Sequence, residues 1–272
     1  MSMRERADDL PVRRIAVVPA YNEESTVGSV LDGLYELVDE ILVVDDGSTD
    51  GTRAVLDGWL PGHEAAYLIS FDTNRGMSAA YYAAFTHLAE RLRRGDLQED
   101  ALVCTVDADG QHDLQVLDEL VHLVIQDRLD ALIARRDLSG YPPYKRIGNR
   151  LLSRWATMWA GSQLLDVESG FRVFRAAALA DALHYYRGYR YSETVEVAVV
   201  LCRLGYRVRN DVLVPVPVFR SRTRLRDAII DAVMIVVAAG RVTRGRPLRS
   251  ASRFRREGER SDTTSAHSTD LR

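Results

Sequence analysis

Cysteine is scarce in this chain, two in 272 residues, and neither Cys104 nor Cys202 falls at metal-ligand spacing. A disulfide framework and a zinc module are therefore excluded. Cys104 lies inside an apolar run and Cys202 in a helical pattern, where each packs as a small hydrophobe of a reducing compartment. The chain also lacks the basic-then-apolar opening of a secretory signal, because Met1 to Asp9 is charged and the first apolar stretch begins a strand. A cytoplasmic location is expected. No internal repeat is present, and the apolar run at 228–239 is too short and too interrupted for a bilayer-spanning helix, which needs about twenty residues. Net charge is also small, at −3.

What the chain does have is 46% apolar residues, ample for the core of one large α/β domain or two small ones. Its small net charge hides an asymmetry. Between Arg220 and Arg256 eleven arginines face only Asp227 and Asp231, giving +9, so the remainder carries −12. An acidic body opposes wrapping by nucleic acid, whereas the basic end suits an anionic membrane surface.

Apolar runs at 14–19, 41–44, 67–71, 102–106 and 131–134 read as strands, and helical spacing appears at 25–37, 77–92 and 114–126. Strands alternating with helices imply a mostly parallel sheet covered on both faces. After Arg135 a polar loop through Tyr141-Pro142-Pro143-Tyr144, long enough for a lid, leads to a helix at 146–160. Later strands are expected at 171–174 and 208–218, the second irregular because of Pro215 and Pro217. Helices are expected at 176–183, 193–204 and 226–240, followed by a disordered tail over 249–272.

Two strands end in paired carboxylates, Asp45-Asp46-Gly47-Ser48 and Asp107-Ala108-Asp109-Gly110-Gln111. A turn explains one Asp and the glycine. It does not explain the second carboxylate, which costs repulsion. Ligands of open α/β sheets sit beyond the carboxyl ends of the strands, so both acidic turns should border one cleft. Hard oxygen donors facing each other favour Mg²⁺ or Mn²⁺ bridging to an anionic ligand, which points to a diphosphate.

Pro19-Ala20-Tyr21-Asn22-Glu23-Glu24, Val44-Asp45-Asp46-Gly47-Ser48, Asn74-Arg75-Gly76, Asp107-Ala108-Asp109-Gly110-Gln111-His112 and Asp166 with Ser169-Gly170-Phe171-Arg172 occur in an order and spacing that resemble an inverting family 2 glycosyltransferase. The likeness covers about 14–225 and is greatest to dolichyl-phosphate mannosyltransferases and bacterial polyprenyl-phosphate sugar transferases. It implies a GT-A type fold: a Rossmann-like, mostly parallel sheet flanked by helices, in a single domain with a C-terminal amphipathic helix. Residues 12–222 would form the transferase domain, with a nucleotide-sugar half at about 12–113 and an acceptor half at about 114–222. Residues 223–248 would form the basic amphipathic helix.

The resemblance also implies roles. Pro19, Tyr21, Glu23, Asp46, Asn74, Gly76 and Asp107 match nucleotide-binding positions. Glu23 equally favours a helix start, and residues 74–76 are equally an ordinary turn. Asp107 and Asp109 match the metal-binding pair, with Mg²⁺ or Mn²⁺ as cofactor. Gln111 matches a position near metal and acceptor. Arg136, Arg172, Glu196 and Arg220 match the acceptor side, with Arg172 alternatively an ion-pair partner of Asp166 and Glu196 alternatively a cap or pairing residue. Lys145, Arg146 and Arg150 lie near the expected lid.

Hydroxyl-using relatives place a Glu-Asp pair at the start of the helix after the acceptor region, whereas this chain has Ser192-Glu193-Thr194-Val195-Glu196. A hydroxyl nucleophile needs a general base. A phosphate monoester, with a second pKa near about 6, does not. Arginines are the matching positioning groups. The expected reaction is hexose transfer from a nucleotide sugar of GDP-mannose or UDP-glucose type to a polyprenyl phosphate, at the cytoplasmic face of a membrane held through the basic helix. A glycan or soluble hydroxyl acceptor, and a non-catalytic nucleotide-sugar module, are the alternatives. A homo-oligomer is left open. The segment Arg220-Ser221-Arg222-Thr223-Arg224 is shorter than the relatives' acceptor motif and lacks its glycine.

Overall fold

The computed structural model describes residues 12–188, 192–215 and 225–244. β1 (Arg14–Ala20) and β2 (Glu40–Asp45) are buried along their whole length. This is why they read as unbroken apolar runs rather than alternating ones. Period-two geometry sends Ile15 and Val17 into one core layer and Ala16 and Val18 into the other.

The remaining strands are β3 (Ala66–Ser70), β4 (Leu102–Thr105), β5 (Ala131–Ile133), β6 (Arg135–Arg136), β7 (Arg172–Arg175), β8 (Val208–Arg209) and β9 (Leu213–Val214). Seven of them form a sheet in the order β3-β2-β1-β4-β7-β5-β8, and β6 with β9 form a separate pair. All neighbours in the large sheet are parallel except β7, which enters antiparallel between β4 and β5. That reversal brings the turn before β7 alongside the carboxyl end of β4.

Helices α1 (Val27–Tyr35) and α4 (Leu117–Gln126) cover one face. On the other lie α3 (Met77–Arg94), α5 (Pro143–Ala160), α6 (Ala176–Leu183), α7 (Glu193–Leu204) and α8 (Leu225–Arg244). α2 (Thr52–Trp59) buries only Thr52 and Leu56, too weak a stripe for its spacing to announce a helix.

Two expectations change. α5 starts at Pro143 rather than Arg146, since proline is tolerated in a first turn, and this shortens the supposed lid to residues 137–142. The strand expected over 208–218 is two two-residue strands, β8 and β9, with 216–218 outside the described residues. The C-terminal helix joins the core, with Ile235 and Ala238 fully buried beneath α7. No described helix is long and apolar enough to cross a membrane. Arg220 and the 249–272 tail lie outside the described residues.

Candidate active site

The two acidic turns flank the end of β1. Ala20 pairs with Asp45, and the Asp46 N–H donates to the Ala20 carbonyl at 2.9 Å. On the other side Thr105 pairs with Val17, so Asp107, two residues further, rises to about the level of Pro19. Strands two places apart in a sheet are separated by about 10 Å. A nucleoside diphosphate lying across the tip of β1 therefore meets both turns.

The nucleotide-side loops hold one another. Asn22, at φ +57°, accepts the Thr49 N–H at 2.8 Å, and Thr52 Oγ1 accepts the Glu23 N–H at 2.7 Å. Pro19 is buried, while Tyr21 and Glu23 are half-buried at the mouth. Gly47 sits at φ +67°, where a Cβ would come within 2.3 Å of the Thr73 backbone, so the β2 turn and the 73–76 loop touch through a position only glycine can fill.

Asp46 bridges these two loops, its carboxylate oxygens accepting the N–H groups of Arg75 at 2.7 Å and Gly76 at 2.8 Å. Burial raises its pKa and those two donors pull it back. At 3% exposed, Asp46 positions the loop carrying Asn74 and Gly76 rather than reaching far into the cleft itself. The Arg75 guanidinium lies over Phe71, 4.6 Å from the ring centroid.

On the other turn, Gln111 caps Asp109 twice: its N–H donates to Oδ1 at 3.0 Å and its side-chain amide to Oδ2 at 2.7 Å. Asp107 keeps 26% side-chain exposure. Its Oδ1 is 3.4 Å from the Tyr81 hydroxyl and its Oδ2 3.4 Å from His112 Nε2. Burial lowers the His112 pKa against the pull of Asp107 and Asp109.

Among the described residues no group of three or more His, Cys, Asp or Glu is arranged as a metal cage. A pair of carboxylates at an open edge instead suits a Mg²⁺-type ion, which keeps waters and shares substrate phosphate oxygens. The donor set thus fits a divalent ion held jointly with a diphosphate.

The acceptor-side expectations divide. Arg136 stays 26% exposed at the site, with Nε and Nη2 donating to Asp166 at 2.8 and 2.9 Å and its backbone N–H to the same carboxylate at 3.0 Å. Asn149 of α5 joins this group, donating to Asp166 at 2.8 Å and Glu168 at 3.0 Å. Burial would raise Asp166, but Arg136 and Asn149 hold its pKa below the usual carboxylate value. Arg136 is thereby fixed in orientation with one edge of its fork uncommitted to Asp166.

Arg172 is corrected. It is completely buried, its partner is Glu193 at 2.7 and 2.8 Å rather than Asp166, and it cannot reach an acceptor. Both Glu193 oxygens are taken up by the Arg172 fork; burial raises its pKa and that fork pulls it back. Glu196 is likewise corrected to a pairing residue: it is buried and accepts from Ser192 Oγ at 2.8 Å and Arg241 at 2.9 Å. Lys145, Arg146 and Arg150 sit on the first turns of α5, the two arginines exposed.

Sequence reasoning did not single out Tyr81, Asn149 or Asp231. Each sits in a helical pattern where nothing distinguishes a polar position aimed inward from a solvated one. An apolar groove of about 640 Å³ between α5 and α8 also escaped it, lined by residues including Leu151, Leu152, Trp155, Ile229, Val233 and Val237. Trp155 braces it by donating its indole N–H to the Ala232 carbonyl at 3.0 Å.

Carboxylate-bearing turns on either side of the β1 end of an open α/β sheet suit a nucleoside diphosphate held with a divalent ion. The chain belongs to glycosyl transferase family 2, whose family model matches residues 15–183. It is a nucleotide-sugar-dependent glycosyltransferase of the GT-A fold. An undecaprenyl-phosphate mannosyltransferase of Micrococcus luteus is 29% identical over 86% of this chain and 93% of its own length. A UDP-N-acetylglucosamine–dolichyl-phosphate N-acetylglucosaminyltransferase of Methanococcus voltae is 27% identical over 69% of this chain and 78% of its own. In fold, the chain is similar to glucosyl-3-phosphoglycerate synthase of Mycobacterium tuberculosis, solved with Mn²⁺, UDP and phosphoglyceric acid. That match has a TM-score of 0.62 and 19% identity, and covers 88% of this chain and 81% of the other.

Proposed function

We propose that the protein transfers a hexose from a nucleotide sugar to a polyprenyl phosphate with inversion, working at the cytoplasmic face of a membrane. The observation that carries this reading is the position of the apolar groove beside the Arg136 group. Gly148 lines the groove while the next residue, Asn149, binds Asp166 and Glu168, the carboxylates that hold Arg136. A phosphate at Arg136 would leave its isoprenoid chain to run along the apolar faces of α5 and α8. Among the described residues, most of the large exposed apolar side chains belong to these two helices, including Tyr144, Ile147, Met158 and Val233. Exposed arginines 146, 150 and 154 flank them, matching anionic headgroups. The two curated relatives named above, which differ in sugar, both carry a polyprenyl phosphate in their names.

In the reaction an acceptor phosphate oxygen forms a bond to the anomeric carbon as the bond from that carbon to the diphosphate oxygen breaks, and the electron pair leaves with the nucleoside diphosphate. Residues 12–113 supply the donor side: Tyr21 and Glu23 at the mouth, Asn74 and Gly76 on the loop that Asp46 holds. Residues 114–222 supply the acceptor side, with Arg136 orienting the acceptor phosphate. A Mg²⁺ or Mn²⁺ ion held by Asp107 and Asp109 would supply neutralisation of the leaving diphosphate. Gln111 keeps Asp109 aimed at that position. No base is required of the chain, in keeping with the burial of Glu193 and Glu196 in ion pairs.

The test is incubation with Mg²⁺, labelled nucleotide sugars and either short-chain polyprenyl phosphate or sugar acceptors. Labelled lipid is expected, and turnover only with the hydroxyl acceptors would overturn the reading.

A further inference from the structure

The Ser169-Gly170-Phe171-Arg172 stretch and the histidine after Gln111 meet at Asp107. The Asp107 N–H donates to His112 Nδ1 at 3.2 Å, which leaves the imidazole proton on Nε2, the nitrogen that faces Asp107 Oδ2 at 3.4 Å. The ring is held by stacking on Phe171, centroids 4.7 Å apart and planes within 11°. From the opposite side the Tyr81 hydroxyl lies 3.4 Å from Oδ1, and Tyr81 is itself packed under the Arg172 guanidinium, 5.3 Å from its ring. Arg172 is locked by Glu193 and by Thr105 Oγ1 at 3.2 Å. Gly170 completes the frame, since a Cβ there would stand 2.8 Å from Oδ2.

We infer that His112 is a positioning residue, which aims the Asp107 carboxylate at the divalent ion by presenting its Nε2 proton, with Phe171 and Gly170 of the second motif holding and admitting it. Neither 3.4 Å contact is a tight hydrogen bond, and that of His112 is an electrostatic approach of the ring edge to Oδ2. They orient Asp107 without satisfying it and leave its lone pairs for a ligand. Partners of this kind behind a metal ligand commonly change affinity by about 10–100-fold. The inference rests on the metal reading of Asp107 and Asp109, but not on the identity of the acceptor.

Mn²⁺ is titrated into the full chain, alone and with GDP or UDP, and free Mn²⁺ is followed by electron paramagnetic resonance, with no acceptor and no turnover. His112→Phe keeps the stack on Phe171 but cannot donate. His112→Asn can accept from the Asp107 N–H but does not reach Oδ2, and His112→Gln can place an amide N–H where Nε2 stands. The Phe and Asn variants are expected to raise the Mn²⁺ Kd by about 10–100-fold, with Gln recovering most of the loss and all three melting near wild type. If Phe unfolds, the Gln and Asn pair still decides the matter, since both lose the ring and only one donates. Wild-type Mn²⁺ binding by the Asn variant, or Gln binding as weakly as Asn, would overturn the inference. Wild-type binding by Asp109→Asn would remove the ion from this turn and the inference with it. Failure of the lipid-acceptor reading would leave every one of these measurements unchanged.

Discussion

Asp231 offers a prediction in which sign and size both follow from the structure. It sits on the buried side of α8, 5% exposed, facing Glu168 and Glu196 from neighbouring segments and Asp227 one turn away, and burial with those charges pushes its pKa up to about 7. In the unfolded chain it ionises near 3.8. Between these values the unfolded state binds fewer protons than the folded one, so unfolding free energy falls as pH rises from about 4 to about 7 and is flat beyond. A shift of roughly three pK units at ~1.4 kcal/mol each sets the cost at about 4 kcal/mol, an order-of-magnitude figure. Asp231→Asn removes the charge and keeps the shape. Urea unfolding of both proteins at pH 4.5, 6 and 8 should show near-equal stability at the lowest pH and a widening advantage for the variant, up to a few kcal/mol, at the highest. The difference between the two proteins isolates this carboxyl from every other titrating group. Parallel pH profiles would show that Asp231 does not carry a buried charge and that α8 is not seated as described.

Asp109→Asn should abolish turnover with an unchanged far-ultraviolet spectrum and melting temperature, and undiminished rates would remove the metal role. Arg136→Ala also strips a partner from buried Asp166, so Arg136→Lys is the cleaner variant. It should raise acceptor KM by about 10–100-fold, the value of a hydrogen bond to a charged group, with donor KM little changed. Glu193→Gln should destabilise the chain by about 3–5 kcal/mol by leaving the Arg172 charge buried and uncompensated, as a denaturant melt would read. Leu151→Glu with Val233→Glu, both at exposed positions of the groove, should leave the melting temperature near wild type, lower binding to anionic vesicles and slow transfer to long-chain lipid. Equal vesicle binding would assign the groove elsewhere. Point changes are preferred to truncation because α8 contributes Ile235 and Ala238 to the core.

Much of this is legible in the sequence alone. β1, β2, β4 and β5 are buried on both faces and so appear as continuous apolar runs. The Asp107-Ala108-Asp109 turn and the Asp45-Asp46-Gly47 turn were readable because their carboxylates exceed what a turn needs. The roles of Arg172 and Glu196 were not readable. An arginine beside a phosphate and an arginine sealed against a glutamate are the same letter, and only packing distinguishes them. The partner of Asp166 was not readable for the same reason: Arg172, six residues on, pairs with Glu193, and Arg136, thirty residues back, points to Asp166.

The sequence by itself determined the alternation of strands and helices, the acidic strand ends and the family, because periodicity and turn chemistry are local. Tertiary structure decided which carboxylates remain open to a ligand, which arginine stays exposed and which is sealed, and that α5 and α8 form a groove. Those outcomes depend on desolvation and on the antiparallel entry of β7, which brings residues some sixty-five positions apart, Thr105 and Gly170, into hydrogen-bond contact. No local spacing encodes such a meeting.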